Sequence, residues 1–289
     1  MTTLVWAGGL LRAEDEPIVS AQDHGWTVGD GVFETLEVVR GRAFALSRHL
    51  KRLAYSAARM GMAEIDAEAV REGVGEILAA GPDSTRLRIT VSTGRGPQAT
   101  ARGTGPHTIV VTATDGPRPA ECRAVRVPWR RNERSPLAGV KSTSYAENVV
   151  MMEFARSRGA DEALMANTHG HLCEGTGSNI LIERGDEIVT PPLASGCLPG
   201  ITRGLALEWG ADAGLPIRAA APGELEMSVL DEVLRGEAFA AVSSSTRRIQ
   251  PLASLDGTAL VAGPLLSGLR DVFESAAALD VDPGPRRGK

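Results

Sequence analysis

The hydrophobic period of this chain switches from two to 3.6 and back within its first 115 residues, and few folds accommodate that order. Residues 32–39 form a β-branched run closed by Arg40-Gly41, the pattern of a strand and turn. Leu50, Leu53, Ala54, Ala57 and Met60 then recur at helical spacing, and Ser47 is placed to cap the start. A second helix is expected over 67–79, stopping at Gly81-Pro82. Leu87, Ile89 and Val91 alternate along the next strand, and 108–114 reads as another. Strands around a helix pair predict one α+β domain.

The second half differs. Residues 115–119, Asp-Gly-Pro-Arg-Pro, look like a break. A strand is expected near 123–127, and the charged, aperiodic stretch 128–139 reads as a connector. A helix over 145–158 follows. Residues 162–166 and 171–173 suit a hairpin about Asn167–Gly170, and 180–183 with 187–190 suit another turning at Arg184-Gly185. Leu198-Pro199-Gly200 precedes a helix expected to run to about 211; further helices are expected over 225–235 and 265–278, with a strand at 238–242. The division is therefore a small α+β domain at 1–118, a connector at 119–132, a larger domain at 133–280 and a loose tail at 281–289.

Composition narrows the class. Hydrophobic residues make up 43% and charged residues 23% of 289, so there is ample material for a core. Thirty-one basic against 36 acidic residues give a net charge of −5, without the basic block that nucleic acid or an anionic membrane needs. Cys122, Cys173 and Cys197 are too few and too scattered for a disulfide framework. No signal peptide and no apolar run of about 20 residues is visible, so a cytoplasmic location is expected.

Several motifs fail. Ala138-Gly139-Val140-Lys141-Ser142 lacks the Gly-Lys pair of a phosphate-binding P-loop, and Gly29-Asp30-Gly31 opens a strand and not the helix of a dinucleotide fingerprint. His169, His171 and Cys173 alternate, but no fourth metal ligand is near, and a surface hairpin explains them better.

Other features favour a bound phosphate. Leu198-Pro199-Gly200-Ile201-Thr202-Arg203 puts a glycine and a hydroxyl at a helix start, where free N–H groups attract anions. Ser243-Ser244-Ser245-Thr246 offers four hydroxyls after a strand, and Arg52 a planar cation. The plain alternatives are a capped helix, a polar turn and a solvated surface arginine. Lys141 is one of three lysines and sits among Leu137, Ala138, Gly139 and Val140. An apolar setting makes a lysine amine nucleophilic enough to form an imine; an exposed loop lysine is the alternative. Glu174 ends a strand just before Gly175-Thr176-Gly177-Ser178 and can aim a carboxylate into a pocket. Arg95 and Arg102, in the glycine-rich stretch 94–105, are candidates for holding a substrate carboxylate.

Together these segments resemble the class IV (fold type IV) pyridoxal-phosphate enzymes: the branched-chain aminotransferases, D-amino-acid aminotransferases and 4-amino-4-deoxychorismate lyases. The resemblance rests on Gln22-Asp23-His24-Gly25, the run Gly29 to Thr35, His49-Leu50-Lys51-Arg52-Leu53, Leu137 to Lys141, Cys173 to Ile180 and Leu198 to Arg203. It spans about residues 20 to 255 in order. It implies a two-domain fold like that of D-amino-acid aminotransferase, mixing α+β and α/β character, with the active site at the domain interface, and a homodimer. It further implies pyridoxal 5'-phosphate bound covalently by Lys141, its ring nitrogen kept protonated by Glu174, and its phosphate held by Arg52, Ile201, Thr202 and Ser245.

The branched-chain enzymes carry a tyrosine five residues after the lysine. Here that residue is Ala146, with Tyr145 beside it. The run Arg134 to Lys141, continuing to Val150, looks closest to the aminodeoxychorismate lyases, which release pyruvate and leave the folate precursor 4-aminobenzoate. That lyase is the expected activity; the alternative is a class IV aminotransferase acting on a D- or L-amino acid or an amine.

Overall fold

The computed structural model describes residues 3–81 and 83–284. The chain forms two compact units. One comprises the residues up to Pro117, Val140–Tyr145 and the residues from Asp280; the other comprises Arg118–Gly139 and Ala146–Leu279.

The first unit contains β1 (Thr3–Ala7), β2 (Leu10–Arg12), α1 (His24–Thr27), β3 (Gly31–Val39), β4 (Arg42–Ala43), α2 (Leu46–Arg59), α3 (Ala67–Ala80), β5 (Arg86–Ser92) and β6 (Thr108–Thr114). Its six strands form one antiparallel sheet in the order β2-β1-β6-β5-β3-β4. Alternation on β3 and β5 sends Val32, Leu36, Leu87, Ile89 and Val91 into one core with Leu50, Leu53 and Ala57 of α2 and Val70, Val74 and Ile77 of α3. Asp66 caps α3 by accepting from the N–H groups of Glu68 and Ala69.

Two features of this unit depart from the sequence reading. Val140–Tyr145 leaves the second half of the chain and lies along the start of β3. Phe33 N–H donates to Lys141 O (3.0 Å) and Thr143 N–H to Gly31 O (2.8 Å). Gly31 permits the close packing there, because a Cβ would sit 2.7 Å from Val91 O and 3.1 Å from Thr143 Oγ1. A boundary at 133 would assign this segment to the other unit.

The second departure is the tail. Residues 281–284, expected to be loose, dock on the start of α2; 285–289 lie outside the described residues. Ala45 occupies the N-cap position in a left-handed conformation and has no capping side chain. Asp282 takes that role from 235 residues away, accepting from Ser47 N–H (2.9 Å) and Ser47 Oγ (2.7 Å). Ser47 is therefore capped and is not the cap. Asp282→Ala is expected to destabilise this unit by ~1 kcal/mol, within the range for lost caps. Thermal melting would show it as a midpoint lowered by a few degrees; an unchanged midpoint would count against the capping role.

The second unit contains β7 (Arg123–Arg131), α4 (Ala146–Arg156), β8 (Glu162–Asn167), β9 (Leu172–Gly175), β10 (Asn179–Arg184), β11 (Glu187–Thr190), α5 (Ile201–Asp212), β12 (Ile217–Ala219), α6 (Val229–Leu234), β13 (Ala238–Ser244), β14 (Arg248–Pro251), β15 (Ser254–Leu255), β16 (Thr258–Ala259) and α7 (Pro264–Leu279). They form two five-stranded sheets, β12-β11-β10-β13-β14 and β16-β15-β7-β8-β9. Both expected hairpins form, as β8–β9 and β10–β11. Strand β7 runs on to Arg131, so the connector beginning at 128 starts as strand. Parallel pairing with β8, through a register shift between Arg126 and Arg130, holds that extension in place. Helix α6 is shorter than the 225–235 expected.

Candidate active site

In the first unit the site is built on β3, α2, β5 and the Val140–Tyr145 segment. The Lys141 peptide is held on both sides, its N–H donating to Ser56 Oγ (3.3 Å) and its carbonyl accepting from Phe33. The side chain is half-buried. Its Nζ lies 4.3 Å from the centre of the Phe33 ring and 5.5 Å from that of Tyr145. Those two rings meet edge to face at 5.1 Å. The sequence setting of Lys141 is apolar, but its spatial neighbours are aromatic faces, which attract the cation.

A second cation meets the same ring. The Arg88 guanidinium lies 3.9 Å from the Phe33 centre. Arg88 pairs with Thr35 across β3 and β5, and Phe33 with Thr90. All four side chains therefore share the face opposite the helix pair. Arg88 Nε donates to Thr90 Oγ1 (3.1 Å), and among the described residues no carboxylate pairs with it. Sequence reasoning passed over Arg88. Its signal was a charged residue between Leu87 and Ile89, on the strand's outward parity.

The arginines expected to hold a carboxylate are engaged elsewhere. Arg102 reaches both Asp30 oxygens at 2.6 Å and also donates to Gly61 O (2.6 Å) and Met60 O (2.9 Å). It staples its loop to the unit. Arg95 donates to Gln22 Oε1 (3.1 Å).

Arg52 is buried and is not a solvated surface arginine. Its Nε and Nη2 engage the two oxygens of Glu34 at 2.8 and 2.6 Å, and His49 Nδ1 stands 2.6 Å from Glu34 Oε2. Burial, the largest single influence, pushes the Glu34 carboxyl up; Arg52 and His49 outweigh it and hold it at about 2. Burial takes His49 below the usual histidine value, although Glu34 opposes this. The carboxylate is therefore ionised at pH 7.

In the second unit Glu174 is the penultimate residue of β9 and is buried. Its Oε2 accepts from Leu198 N–H (2.9 Å), and its Oε1 lies 3.7 Å from Arg131 Nε. The adjoining turn is tied down by a second buried acid. Glu162 accepts from Thr176 N–H (2.8 Å), Thr176 Oγ1 (2.5 Å) and Ser178 Oγ (2.7 Å). Glu174 thus projects from a strand end whose next residues cannot drift.

The Leu198–Arg203 segment turns into α5 as expected, with Gly200 at the N-cap and no side chain capping the helix. Its first N–H groups, at Ile201 and Thr202, are the donors an anion seeks. Asn179 reaches this turn: its Nδ2 donates to Leu198 O (2.9 Å), and its Oδ1 would sit 1.9 Å from a Cβ on residue 200, so only glycine fits. Asn179 pairs directly with Ser243 across β10 and β13, so the two side chains share a face. Ser243 is buried, and its hydroxyl has no partner. Ser245 opens the three-residue turn between β13 and β14.

An orphaned buried hydroxyl beside an uncapped helix start is unusual, because such groups are normally paired. A phosphate group would accept from Ser243 and from the helix N–H groups. A buried carboxylate suits a protonated ring nitrogen, and a lysine suits an aldehyde. Taken unit by unit, these groups have the chemistry that pyridoxal phosphate needs. The structure also adds Ser243 to the hydroxyls that the serine run offered.

Comparison with known proteins agrees. The pattern of amino-transferase class IV matches residues 31–255. The chain belongs to the class IV aminotransferases. The family's members are pyridoxal-phosphate-dependent aminotransferases and lyases. The D-alanine aminotransferase of Bacillus licheniformis is 27% identical over 93% of this chain and 95% of its own. The bifunctional aminodeoxychorismate lyase / D-amino acid transaminase of Mycobacterium tuberculosis is 30% identical over 69% of this chain and 75% of its own. Among solved structures, a hypothetical aminotransferase from Mycobacterium tuberculosis in its PLP-bound form superimposes with a TM-score of 0.82 at 26% identity, covering 94% of this chain and 98% of that one. The two-domain α+β fold is that of fold type IV enzymes. Among the described residues no helix is long and apolar enough to cross a membrane.

Proposed function

We propose that this chain is an aminodeoxychorismate lyase, forming 4-aminobenzoate and pyruvate in folate precursor synthesis. The observation that carries the substrate class is the pair of cations on Phe33. Lys141 is a primary amine suited to an aldehyde cofactor, and Arg88 is a guanidinium beside it that no carboxylate among the described residues neutralises. A substrate bearing both an amino group and a carboxylate meets both needs. The Arg134–Lys141 segment and the bifunctional relative support the lyase within that class.

Bound pyridoxal phosphate supplies an electron sink for a carbanion at the amine-bearing carbon. Lys141 would hold the cofactor, and its amine would take the proton from that carbon. Glu174, steadied by Leu198 and the Glu162-bound turn, would keep the cofactor ring nitrogen protonated. Arg52, Ile201, Thr202, Ser243 and Ser245 would hold the phosphate. Arg88 would hold the substrate carboxylate. In the lyase reaction the electron pair left by the proton lost from the amine-bearing carbon expels the enolpyruvyl oxygen from the neighbouring carbon; that C–O bond breaks as the ring becomes aromatic, and the departing enolate collects a proton to become pyruvate.

D-amino acid transamination is the second reading. Tyr145 lies one residue before the position used by the branched-chain enzymes, yet its ring faces Lys141. The offset therefore does not separate the two chemistries, and the Bacillus licheniformis relative favours transamination. Product analysis distinguishes them. The lyase releases pyruvate and 4-aminobenzoate from aminodeoxychorismate with no 2-oxo acid present. Absence of pyruvate under those conditions, with amino transfer from D-alanine to a 2-oxo acid, would replace the first reading by the second. The reading also includes a homodimer, as in the family it resembles.

A further inference from the structure

Glu34 is a carboxylate where the pattern of β3 asks for an apolar side chain. It shares inward parity with Val32, Leu36 and Val38 and is fully buried. A carboxylate is tolerated there only if it is paired and hydrogen-bonded. Its partners come from one stripe of α2, His49 and Arg52, and Ser56 extends that stripe by one turn. The neighbouring stripe, Leu50, Leu53 and Ala57, packs the core.

Stability alone does not explain this arrangement. Desolvating an ion pair costs about as much as the pair returns, and apolar side chains of similar volume pack as well. A gain in orientation does explain it. Arg52 stands one helical turn from Ser56, whose hydroxyl accepts the N–H of Lys141. The stripe thus joins the expected phosphate-holding cation to the lysine segment within one unit.

We propose that Glu34, steadied by His49, is a positioning residue that clamps the Nε–Nη2 edge of Arg52 and so fixes the orientation of the guanidinium that the reading above assigns to the cofactor's phosphate. The inference rests on the assignment of Arg52 as a phosphate contact. An arginine held in this way loses little freedom when the anion arrives, and that preorganisation strengthens binding. His49 has no contact with the anion in this scheme and acts only through Glu34.

The test compares two cofactors that differ only in the phosphate. Apo-protein is titrated with pyridoxal phosphate and with pyridoxal, following the cofactor absorption band, for wild type, Glu34→Gln, Glu34→Asp, His49→Gln and Arg52→Gln. Expected is a loss of roughly tenfold to a hundredfold in affinity for pyridoxal phosphate in Glu34→Gln, the range for charge-assisted hydrogen bonds. Pyridoxal affinity should hold, and Glu34→Asp and His49→Gln should show smaller losses of the same kind. Equal losses for both cofactors, or a lowered melting point with no phosphate-selective loss, would make Glu34 merely structural and overturn the inference. If Glu34→Gln fails to fold, Glu34→Asp and His49→Gln carry the same comparison. A phosphate-selective loss in Arg52→Gln alone also overturns the inference while leaving the Arg52 assignment standing. No such loss in Arg52→Gln removes the assignment itself.

Discussion

Lys141→Ala is expected to lower turnover by at least about a thousandfold and to leave the fold in place. The size follows from two losses at one atom, the covalent attachment of the cofactor and the acid–base group. General acid–base catalysis alone contributes about 10²- to 10⁴-fold. The fold should survive because the segment is fixed through its backbone. The N–H of residue 141 still donates to Ser56 Oγ and its carbonyl still accepts from Phe33, whatever the side chain. The lost contacts between Nζ and the Phe33 and Tyr145 rings amount to at most about 1 kcal/mol at such a half-exposed site. Circular dichroism and melting should match wild type within a few degrees. The absorption band of the bound cofactor should change, because no amine remains to bind it covalently. Arg88→Ala offers a contrast: Lys141 keeps its band while KM for the carboxylate substrate rises. Undiminished turnover in Lys141→Ala would end the assignment of this residue.

Regular periodicity made much of this fold legible. Strand β3, helices α2 and α3, strand β5 and the two hairpins each repeat one period long enough to read. What escaped depends on contacts distant in sequence. Residues 140–145 carry no period of their own, and pairing with Gly31 and Phe33 decides their position. The cap of α2 comes from Asp282, which no local rule connects to Ser47. Strand β14 carries a proline and a left-handed Arg248, both of which argue locally against a strand, yet pairing with β13 holds it.

The site divides in the same way. Lys141, Glu174 and the Gly200 turn are assigned from the order of the motifs, and the structure adds their local surroundings. The environment of Arg52 was not foreseen, although its signal was present. Glu34 has the inward parity of its strand, and His49, Arg52 and Ser56 recur at helical spacing on the helix that follows. A charged residue at a core position with polar residues spaced to meet it predicts a buried network. Ser243 was named only as part of a run, because a lone hydroxyl becomes informative only when seen buried and unpartnered.

Glu174→Gln is expected to retain the cofactor and lose turnover by on the order of a hundredfold or more, a loss comparable to removing an acid–base group. On the proposed reading the carboxylate has two tasks. One is structural: Oε2 accepts from Leu198 N–H at 2.9 Å. A glutamine carbonyl performs that task equally well, so the turn before α5 should stay in place. The other is electrostatic. Only an anion holds a nearby ring nitrogen in its protonated form, because an opposite charge favours the protonated state and a neutral amide does not. Without that proton the ring withdraws fewer electrons from the substrate carbon, and Lys141 must remove a less acidic proton. The substitution also leaves Arg131 without the acid now 3.7 Å from its Nε, so the melting point should fall by a few degrees. Cofactor affinity, which the proposed reading assigns to Lys141 and the phosphate donors, should change less than tenfold, roughly the value of one charge-assisted contact. Glu174→Asp keeps the charge on a shorter arm and should recover part of the rate. Its recovery separates charge from packing, since aspartate is the poorer space-filler of the two variants. Equal turnover in wild type and Glu174→Gln would show that the negative charge at position 174 takes no part in the chemistry, and the carboxylate would then be a hairpin anchor for Leu198.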